Sequence, residues 1–330
     1  MDYSLKRIPG EREIIKTLTG IFGEEPRFPL GFNDDVAAIP SGRDSWIVLK
    51  SDMLVGSTDV PPGMSLWQAA RKAVVATVSD FAAKGVRPLG LMVSLGLPGS
   101  LGRRGIREIG LGLGRGAKEY GCPVIGGDTN QSDDLIIDCI GAGEADPRKL
   151  VRRNGALPGD VVAVTGEFGN VAAGLRLLLS RKKLVLSKNQ SLRDAVLLPK
   201  TRLNEGLTLA SIGAVTSSID SSDGLAWSLH ELARASGVQI SLETLPIAKE
   251  AVRFGDAYGV SPARLALYGG EEYELVVTIR REALARAKRR VPSLITIGRV
   301  LKGPPAVSAI VGGKSFSVAP RGWEHFRRSF

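Results

Sequence analysis

Histidine and cysteine are scarce in this sequence, with two of each among 330 residues. His230 and His325 are far apart in the chain, which excludes a His-rich metal site or a motif that needs two close histidines. Cys122 and Cys139 lie in apolar, strand-like runs, where buried reduced thiols are expected instead of a disulfide or a metal pair. Any metal site must therefore use oxygen ligands.

Long apolar runs are also missing. No segment approaches about eighteen uninterrupted apolar residues, and the N-terminal MDYSLKRIPGERE lacks the apolar core of a signal peptide. Neither a membrane span nor secretion is predicted. We expect a cytoplasmic protein with no membrane partner.

Aromatic residues make up only 5% of the chain, whereas the formal net charge is +10. This excess of basic residues makes nucleic acid a candidate partner. The densest basic cluster is RREALARAKRR, residues 280–290. The segment has the pattern of a solvated surface helix, and no aromatic residues interleave to stack bases. We therefore predict no nucleic-acid partner. A positive surface would instead attract ATP and phosphate esters over long range.

The length of the chain exceeds the size at which one hydrophobic core usually stops growing, so two domains are expected. Strand and helix signals alternate, which predicts an α/β (α+β) protein. The charged, turn-rich stretch EADPRKLVRRNGALPGD, residues 144–160, predicts a boundary near its start. The predicted domains are residues 1–145 and 146–330.

The first half predicts an initial helix over 11–22, strands over 36–39 and 46–50, a helix from the cap Ser65 to Gly85, and a helix over about 103–120. The second half predicts further strand and helix units. It closes on a strand pair around ITIGRV and PAVSAIV.

Two glycine-rich segments imitate nucleotide-binding motifs. GLGLGRGA, residues 110–117, lies inside a helical pattern, so close packing of helices through small residues explains it better than a dinucleotide site. VGGKS, residues 311–315, has Ser308 where a P-loop needs its first glycine, and a hairpin turn accounts for the glycines. A Walker-type kinase is not predicted.

Aspartates at the ends of apolar segments are the most informative feature of the chain. The seven are Asp34, Asp35, Asp52, Asp80, Asp128, Asp220 and Asp223. Gathered carboxylates repel each other, and hard divalent cations with oxygen ligands compensate this repulsion where a polyphosphate binds. The pattern predicts a magnesium cage in an enzyme that acts on a nucleoside triphosphate.

The aspartates differ in how well a structural role explains each of them. Asp80 falls in the last turns of a helix among apolar neighbours, where the macrodipole disfavours a negative charge. Asp52 follows an apolar strand, and Asp128 closes the strand VIGGDT. Adjacent acids such as Asp34 and Asp35 are common in turns, and Asp223 could cap the next helix. These structural alternatives stay open at this stage.

Seven motifs occur in an order and at separations that resemble the thiamine-monophosphate kinase family, within the fold group of aminoimidazole ribonucleotide synthetase. They are GFNDDVA, SDMLVGSTDVP, KAVVATVSDFAAKG, IGGDTN, RNGALPGDVVAVTGEFG, IDSSDGL and YGGEEYELVV. The resemblance runs from about Gly31 to the terminal GWEHF. It implies a two-domain α/β protein, dimeric through the sheet of its N-terminal domain, that transfers the γ-phosphoryl group of ATP to thiamine phosphate.

The resemblance also implies residue roles. The implied magnesium ligands are Asp35, Asp52, Asp80, Asp128, Asp220 and Asp223, with Lys50 and Ser51 contributing backbone or hydroxyl oxygens and Asp34 as a neighbouring candidate. Gly127, Asp128, Arg153 and Ser222 match nucleotide-binding positions, and Asp59, Glu271 and Trp323 match substrate positions. The catalytic set is Asp35, Asp80, Asp128, Arg153 and Asp220. Two positions depart from the family pattern: Asp59 replaces a common histidine, and Glu272 replaces the aspartate of GGEDYE.

The chemistry is consistent with this set of residues. A phosphate monoester is already anionic near neutral pH, its second pKa being about 6, so it needs no general base as a nucleophile. Metal ions and Arg153 would neutralise the two polyanions and align a direct in-line transfer.

Other enzymes of the same fold group and a nucleic-acid-binding protein are the alternatives. A sister synthetase resembling aminoimidazole ribonucleotide synthetase stays open. A selenophosphate synthetase or a hydrogenase-maturation protein would want a reactive cysteine near one end, which this chain lacks. A nucleic-acid-binding protein would leave the aspartates unexplained.

Overall fold

The computed structural model describes residues 9–23, 25–32, 34–180, 189–311 and 314–326. Two sheets with helices packed against them are formed by residues 37–145 and 161–317, which confirms the predicted α/β class. The domain limits 1–145 and 146–330 stay a prediction. Within the described residues, no helix is both long enough and apolar enough to cross a membrane.

The first sheet has five strands in the order β1-β2-β5-β3-β4. They are β1 (Ala37–Pro40), β2 (Trp46–Val55), β3 (Pro88–Leu97), β4 (Val124–Gln131) and β5 (Ile136–Ala145). β3 and β4 are parallel, and the other neighbours are antiparallel.

Two aspartates predicted at strand ends lie inside strands instead. Asp52 is within β2, which pairs with β5 along its whole length, and Asp128 is within β4. The predicted end of β2 at residue 50 is therefore wrong. The continuous ladder with β5 supplies backbone hydrogen bonds that outweigh the low strand propensity of one aspartate.

Helices α3 (Leu66–Lys84) and α4 (Arg103–Tyr120) cover one face of this sheet, and the shorter α1 (Glu11–Phe22) and α2 (Gly56–Asp59) precede them. The predicted limits of α3 are confirmed: Ser65 and Gln68 form a capping box, and Gly85 ends the helix with φ 65°. GLGLGRGA lies inside α4. A Cβ at Gly112 would lie 2.2 Å from the carbonyl oxygen of Trp67, so the predicted close packing of helices is confirmed.

The second sheet has seven strands in the order β12-β11-β8-β10-β6-β9-β7. They are β6 (Val161–Val164), β7 (Val215–Asp220), β8 (Gln239–Leu242), β9 (Leu275–Ile279), β10 (Ile295–Leu301), β11 (Ala306–Val311) and β12 (Lys314–Ser317).

The predicted pairing of the last two long strands is wrong. β10 and β11 do not pair with each other; each pairs with β8, β10 antiparallel and β11 parallel. β8 is an almost fully buried strand, and inserting it between them covers both of its edges. β11 and β12 form an antiparallel pair, and the VGGKS turn between them includes residues outside those described.

Seven helices accompany this sheet in the described residues. They are α5 (Asn170–Leu179), α6 (Gln190–Leu197), α7 (Leu203–Ser211), α8 (Leu225–Ser236), α9 (Lys249–Tyr258), α10 (Pro262–Tyr268) and α11 (Leu284–Arg290). The basic segment 280–290 forms a 3-10 turn and α11. Ala283 and Ala287 are buried and its basic side chains face outward, as predicted for a surface helix.

Helix α3 joins the two halves of the molecule. It contacts β2 and β5 of the first sheet and also β7 and α7 of the second half. A Cβ at Gly206 of α7 would lie 2.0 Å from the carbonyl oxygen of Ala82, so the two helix backbones approach closely there. The C-terminal end of α3 is thereby held against the end of β7, where the candidate site forms.

Candidate active site

Three of the predicted aspartates converge where α3 meets the second sheet. Asp35 lies in the loop before β1, Asp80 lies in α3, and Asp220 is the last residue of β7. All three are buried, and one carboxylate oxygen from each lies within 4.8 Å of the others. We call these three residues the aspartate cluster.

Neighbouring residues of α3 act on two members of the cluster. Asp80 is itself a residue of α3. The hydroxyl of the adjacent Ser79 donates a hydrogen bond of 2.8 Å to Oδ2 of Asp220. The hydroxyl of Ser228, at the start of α8, donates to the carbonyl oxygen of Asp220 at 3.1 Å. Helix α3 therefore sets both the position of Asp80 and the orientation of Asp220.

Three basic side chains compensate the acidic site. Lys50 Nζ lies 3.0 Å from Oδ2 of Asp80 and 3.8 Å from Oδ2 of Asp52. Lys84 Nζ lies 2.6 Å from Asp34 and 2.7 Å from Asp35. The guanidinium of Arg153 pairs with Oδ1 of Asp35 and lies 3.3 Å from Glu231.

The carboxyl groups of the site differ in pKa for physical reasons. Burial opposes ionisation of Asp35, yet Lys84 and Arg153 lower its pKa to about 2. Burial raises the pKa of Asp80 well above its usual value, because Lys50 only partly offsets the desolvation and the repulsion from Asp220. Burial and repulsion from Asp35 raise the pKa of Asp220 to about 6. Without a further cation, the cluster is thus short of positive charge.

Strand alternation separates the ligands predicted on β2. Lys50 and Asp52 pair with Gly141 and Cys139 on the face covered by α3, whose Phe81 lies against Gly141. The hydroxyl of Ser51 points to the opposite face and donates to Asp138 at 2.7 Å. The Ser51 hydroxyl therefore does not face the aspartate cluster, which corrects that part of the prediction.

Asp128 is not brought to the aspartate cluster either. It pairs with Ser94, which pairs with Asp138, which pairs with the exposed Met53. This row of residues lies on the open face of the first sheet, opposite to Asp52. The role of Asp128 as a metal ligand stays a prediction.

Asp223 stands beside the cluster and does not cap α8. The N-cap of α8 is Gly224, with no side-chain hydrogen bond, so the structural alternative for Asp223 is not realised. Burial, with repulsion from Glu11, raises the pKa of Asp223 to about 7. As at Asp80 and Asp220, nearby cations do not fully compensate the negative charge of the ionised carboxylate.

The predicted nucleotide-binding residues Arg153, Gly127 and Ser222 lie in two loops and on β4. Arg153 follows the first sheet and is only 18% exposed, so it is not a surface residue. Gly127 lies on β4, where a Cβ would meet the carbonyl oxygen of Val93 at 1.9 Å, which is a packing reason for glycine. Ser222 is exposed, and its carbonyl oxygen accepts a hydrogen bond of 2.6 Å from the backbone of Glu271.

The predicted substrate residues are linked by Lys72, a buried residue of α3. Its ammonium pairs with Glu271 and donates to the carbonyl oxygen of Asp59 at 2.9 Å. The carboxylate of Asp59 turns back and accepts from the backbone of Val55 at 2.8 Å. Trp323 is tied to the same region, because its backbone donates to the carbonyl oxygen of Asp223 at 2.9 Å.

Glu272, the second departure from the family pattern, has a structural contact. Its Oε1 accepts from the backbone nitrogens of Gly169 at 2.6 Å and Val171 at 3.2 Å, at the start of α5. The residues on either side, Glu271 and Tyr273, have positive φ of 65° and 53°. The side chain of Glu272 therefore anchors a strained turn that presents Glu271.

Sequence reasoning missed Ser79, Lys72 and Lys84. Lys72 and Lys84 read as ordinary helix residues, and Lys84 stands next to a C-terminal glycine cap where basic residues are common. The available signal was the pattern of α3 itself, in which charged residues recur on positions that an amphipathic helix buries.

Comparison with known proteins agrees with this arrangement. Residues 33–145 match the family described as "AIR synthase related protein, N-terminal domain", and residues 158–308 match its C-terminal domain. A thiamine-monophosphate kinase from Nitrosopumilus maritimus (strain SCM1) is 37% identical over 85% of this chain and 89% of its own length. One from Pyrococcus abyssi is 38% identical over 86% of this chain and 87% of its own length.

The chain belongs to the thiamine-monophosphate kinase family. Solved structures place this family member in the same fold. The structure of AaThiL complexed with AMPPCP and TMP has a TM-score of 0.84 at 29% identity, covering 98% of this chain and all of that one. Hydrogenase maturation protein HypE in complex with ATP has a TM-score of 0.66 at 21% identity and shares the fold alone.

Proposed function

We propose that this member of the thiamine-monophosphate kinase family transfers the γ-phosphoryl group of ATP to thiamine phosphate, giving thiamine diphosphate and ADP. The observation that carries the proposal is the buried aspartate cluster, assembled from both halves of the fold. A solved relative complexed with AMPPCP and TMP supports this pair of substrates.

The donor set fits Mg²⁺. Asp35, Asp80 and Asp220 offer three carboxylate oxygens within 4.8 Å of one another, and oxygen ligands are those that Mg²⁺ prefers. The raised pKa values of Asp80 and Asp220 show that these buried groups lack compensating charge, which a divalent cation would provide. Asp52 and Asp223 border the cluster and would serve as further ligands, whereas Asp128 lies on the opposite face of the first sheet, away from the cluster.

Phosphoryl transfer at this site needs charge compensation more than proton transfer. The acceptor is a phosphate monoester, which is already anionic near neutral pH, so no general base is required. Bound Mg²⁺ would neutralise charge on the phosphate oxygens. Arg153, held between Asp35 and Glu231, would add a planar pair of donors for a nucleotide phosphate, and transfer would be direct and in-line.

Recognition of the thiamine moiety is assigned to Glu271 and Trp323. Glu271 is one-third exposed at its side chain and stands on the strained turn after α10. The ring of Trp323 would offer an aromatic face to the cationic thiazolium ring. Asp59 contributes through the loop that it stabilises, because its carboxylate is occupied by the backbone of Val55.

The open face of the first sheet supports a homodimer. Exposed apolar side chains lie along it on β2, β3 and β4, with β5 between β2 and β3: Ile47, Met53, Leu89, Met92 and Ile125. Contiguous apolar patches of this kind mark interfaces between proteins. Asp128 lies on the same face and would be close to the partner subunit.

The proposed reaction is tested by incubation with ATP, Mg²⁺ and thiamine phosphate. We expect ADP and thiamine diphosphate in equal amounts, measured by chromatography. Unphosphorylated thiamine should give neither, since its hydroxyl is neutral and the site supplies no general base. Equal turnover of both acceptors would overturn the mechanism, and aminoimidazole ribonucleotide synthesis would assign the chain to the sister activity.

A further inference from the structure

Lys84 is the last residue of α3, and its side chain is fully buried. Besides its contacts with Asp34 and Asp35, the ammonium donates a hydrogen bond of 2.9 Å to the carbonyl oxygen of Ser218 in β7. A lysine at a helix end is usually exposed, because the ammonium is strongly hydrated. The chain here encloses one instead, between two carboxylates and a strand of the second sheet.

Arg71 shows what a buried cation of α3 does away from the cluster. It is 4% exposed, pairs with Glu119 at 2.9 Å and donates to the carbonyl oxygen of Pro199 at 2.8 Å. Arg71 thus neutralises one acid and ties α3 to the second half of the molecule. Lys84 makes the same kinds of contact, but one of its acids belongs to the aspartate cluster.

Both oxygens of Asp35 are held by basic side chains. Lys84 takes Oδ2 and Arg153 takes Oδ1. Lys84 also holds Oδ1 of Asp34, while Oδ2 of Asp34 accepts from the backbone of Arg153 at 3.1 Å. Lys84 therefore connects Asp34 and Asp35 to β7, the strand that ends at Asp220.

We propose that Lys84 supplies a positive charge to the aspartate cluster, where it positions Asp35 and offsets part of the negative charge that divalent cations would otherwise neutralise. The inference rests on the proposed metal role of the aspartate cluster. A fixed positive charge this close to Asp35 repels an incoming divalent cation while lowering the repulsion among the carboxylates. Lys84 thereby limits how tightly the aspartate cluster binds Mg²⁺. It also keeps the three carboxylates together in the absence of metal.

The test compares Lys84→Met with Arg71→Met in the full-length chain without nucleotide. Mg²⁺ affinity is measured by isothermal titration calorimetry, and stability by thermal unfolding with and without Mg²⁺. We expect Lys84→Met to lower the melting temperature in the absence of metal and to bind Mg²⁺ at least about tenfold more tightly than wild type. Arg71→Met should lose stability equally with and without Mg²⁺ and keep the wild-type affinity.

A purely structural role for Lys84 gives a different result. The affinity of Lys84→Met for Mg²⁺ would then equal that of wild type or be weaker, and either outcome overturns the proposal. If the wild-type chain itself binds no Mg²⁺, the metal role of the cluster fails, and the fault lies with the proposed function instead of with Lys84.

The double variant Asp34→Asn/Lys84→Met keeps the test decisive if the single variant does not fold. It removes one charge of each sign, and Asp34 is outside the cluster of three carboxylates. We expect the double variant to fold and to bind Mg²⁺ within about threefold of wild type, because the net charge of the site is restored. A tenfold change in affinity in either direction would overturn the charge argument.

Discussion

At the scale of single residues, Asp80 is a carboxylate in an unfavourable position. It is buried four residues before Lys84, the last residue of α3, where the helix macrodipole disfavours negative charge, and Asp220 and Asp35 repel it. Among the residues that the structure describes, Lys50 alone forms an ion pair with it, at 3.0 Å. A group held at such a cost is expected to serve the reaction.

We predict that Asp80→Asn lowers turnover at least about a hundredfold, about 2.7 kcal/mol, and leaves the protein folded. The melting temperature without metal should stay level or rise, because the substitution removes a buried repulsive charge while Lys50 keeps Asp52 at 3.8 Å. Turnover assays and calorimetry check both parts. Asp44→Asn, at an exposed carboxylate, is the matched control and should retain normal turnover. An unfolded Asp80→Asn protein would make Asp80 a structural residue.

Glu272 gives a prediction for the pH dependence of stability. Burial raises its pKa from 4.5 to about 8, repulsion from Glu274 adds to the shift, and the backbone donors of α5 oppose it. Because the folded state binds this proton more tightly than the unfolded chain, the free energy of unfolding should fall as pH rises from about 4.5 to about 8. Above that window the contribution is constant.

We expect Glu272→Gln to remove this slope, since glutamine stays neutral and its oxygen can still accept from Gly169 and Val171. At about pH 9 the variant should be more stable than wild type by on the order of 1 kcal/mol. Urea unfolding between about pH 5 and 9 measures the difference. Glu282→Gln, at an exposed side chain, should leave the profile unchanged. Parallel profiles for Glu272→Gln and wild type would show that Glu272 is ionised throughout.

The acidic residues of the site could be identified from the sequence more readily than the basic residues that pair with them. Asp80 stood out because a carboxylate near a helix C-terminus among apolar residues breaks local rules, and such departures mark functional sites. Lys84 breaks no local rule, since a lysine is favourable at a helix C-terminus. Its burial depends on the approach of β7, which lies more than a hundred residues away in the chain.

At the scale of elements, α4 tests how glycines pack helices. Gly112 faces α3, where a Cβ would lie 2.2 Å from a backbone oxygen, whereas Gly114 has nothing within 4 Å of that position. Gly112→Ala should therefore destabilise the protein by about 1–3 kcal/mol through overpacking. Gly114→Ala should stabilise it by about 0.5–1 kcal/mol through helix propensity. Chemical unfolding of the pair provides the measurement, and equal effects would contradict the assigned packing face.

Elements with local signals were predicted well, and their pairing was not. The limits of α3 follow from a capping box and a glycine cap, both readable within a few residues. The separation of β10 and β11 by β8 depends on contacts between residues about sixty positions apart, which no local pattern encodes. The predicted end of β2 came too early for a related reason. The backbone pairing that continues β2 through Asp52 is with β5, which is distant in the chain.

At the scale of the whole molecule, the position of the site follows from α3 serving both halves. The first sheet packs its inner face on this helix, and β7 and α7 pack on the helix from the second half. Two domains could be predicted from length and composition, but not which helix joins them. This arrangement leaves the outer face of the first sheet uncovered by any described element of the same chain.

That uncovered face provides the prediction for assembly. Met92 lies within β3 and is 49% exposed; it pairs with Ile140 of β5, which in turn pairs with Ser51 of β2 on the same face. If the face forms the proposed homodimer, Met92→Asp should bury a charge without a partner and convert the dimer to a monomer, as measured by sedimentation. Leu111→Asp, which alters an equally exposed apolar residue on α4, should leave the dimer intact. A wild-type monomer, or a Met92→Asp dimer of unchanged affinity, would place the subunit contact elsewhere.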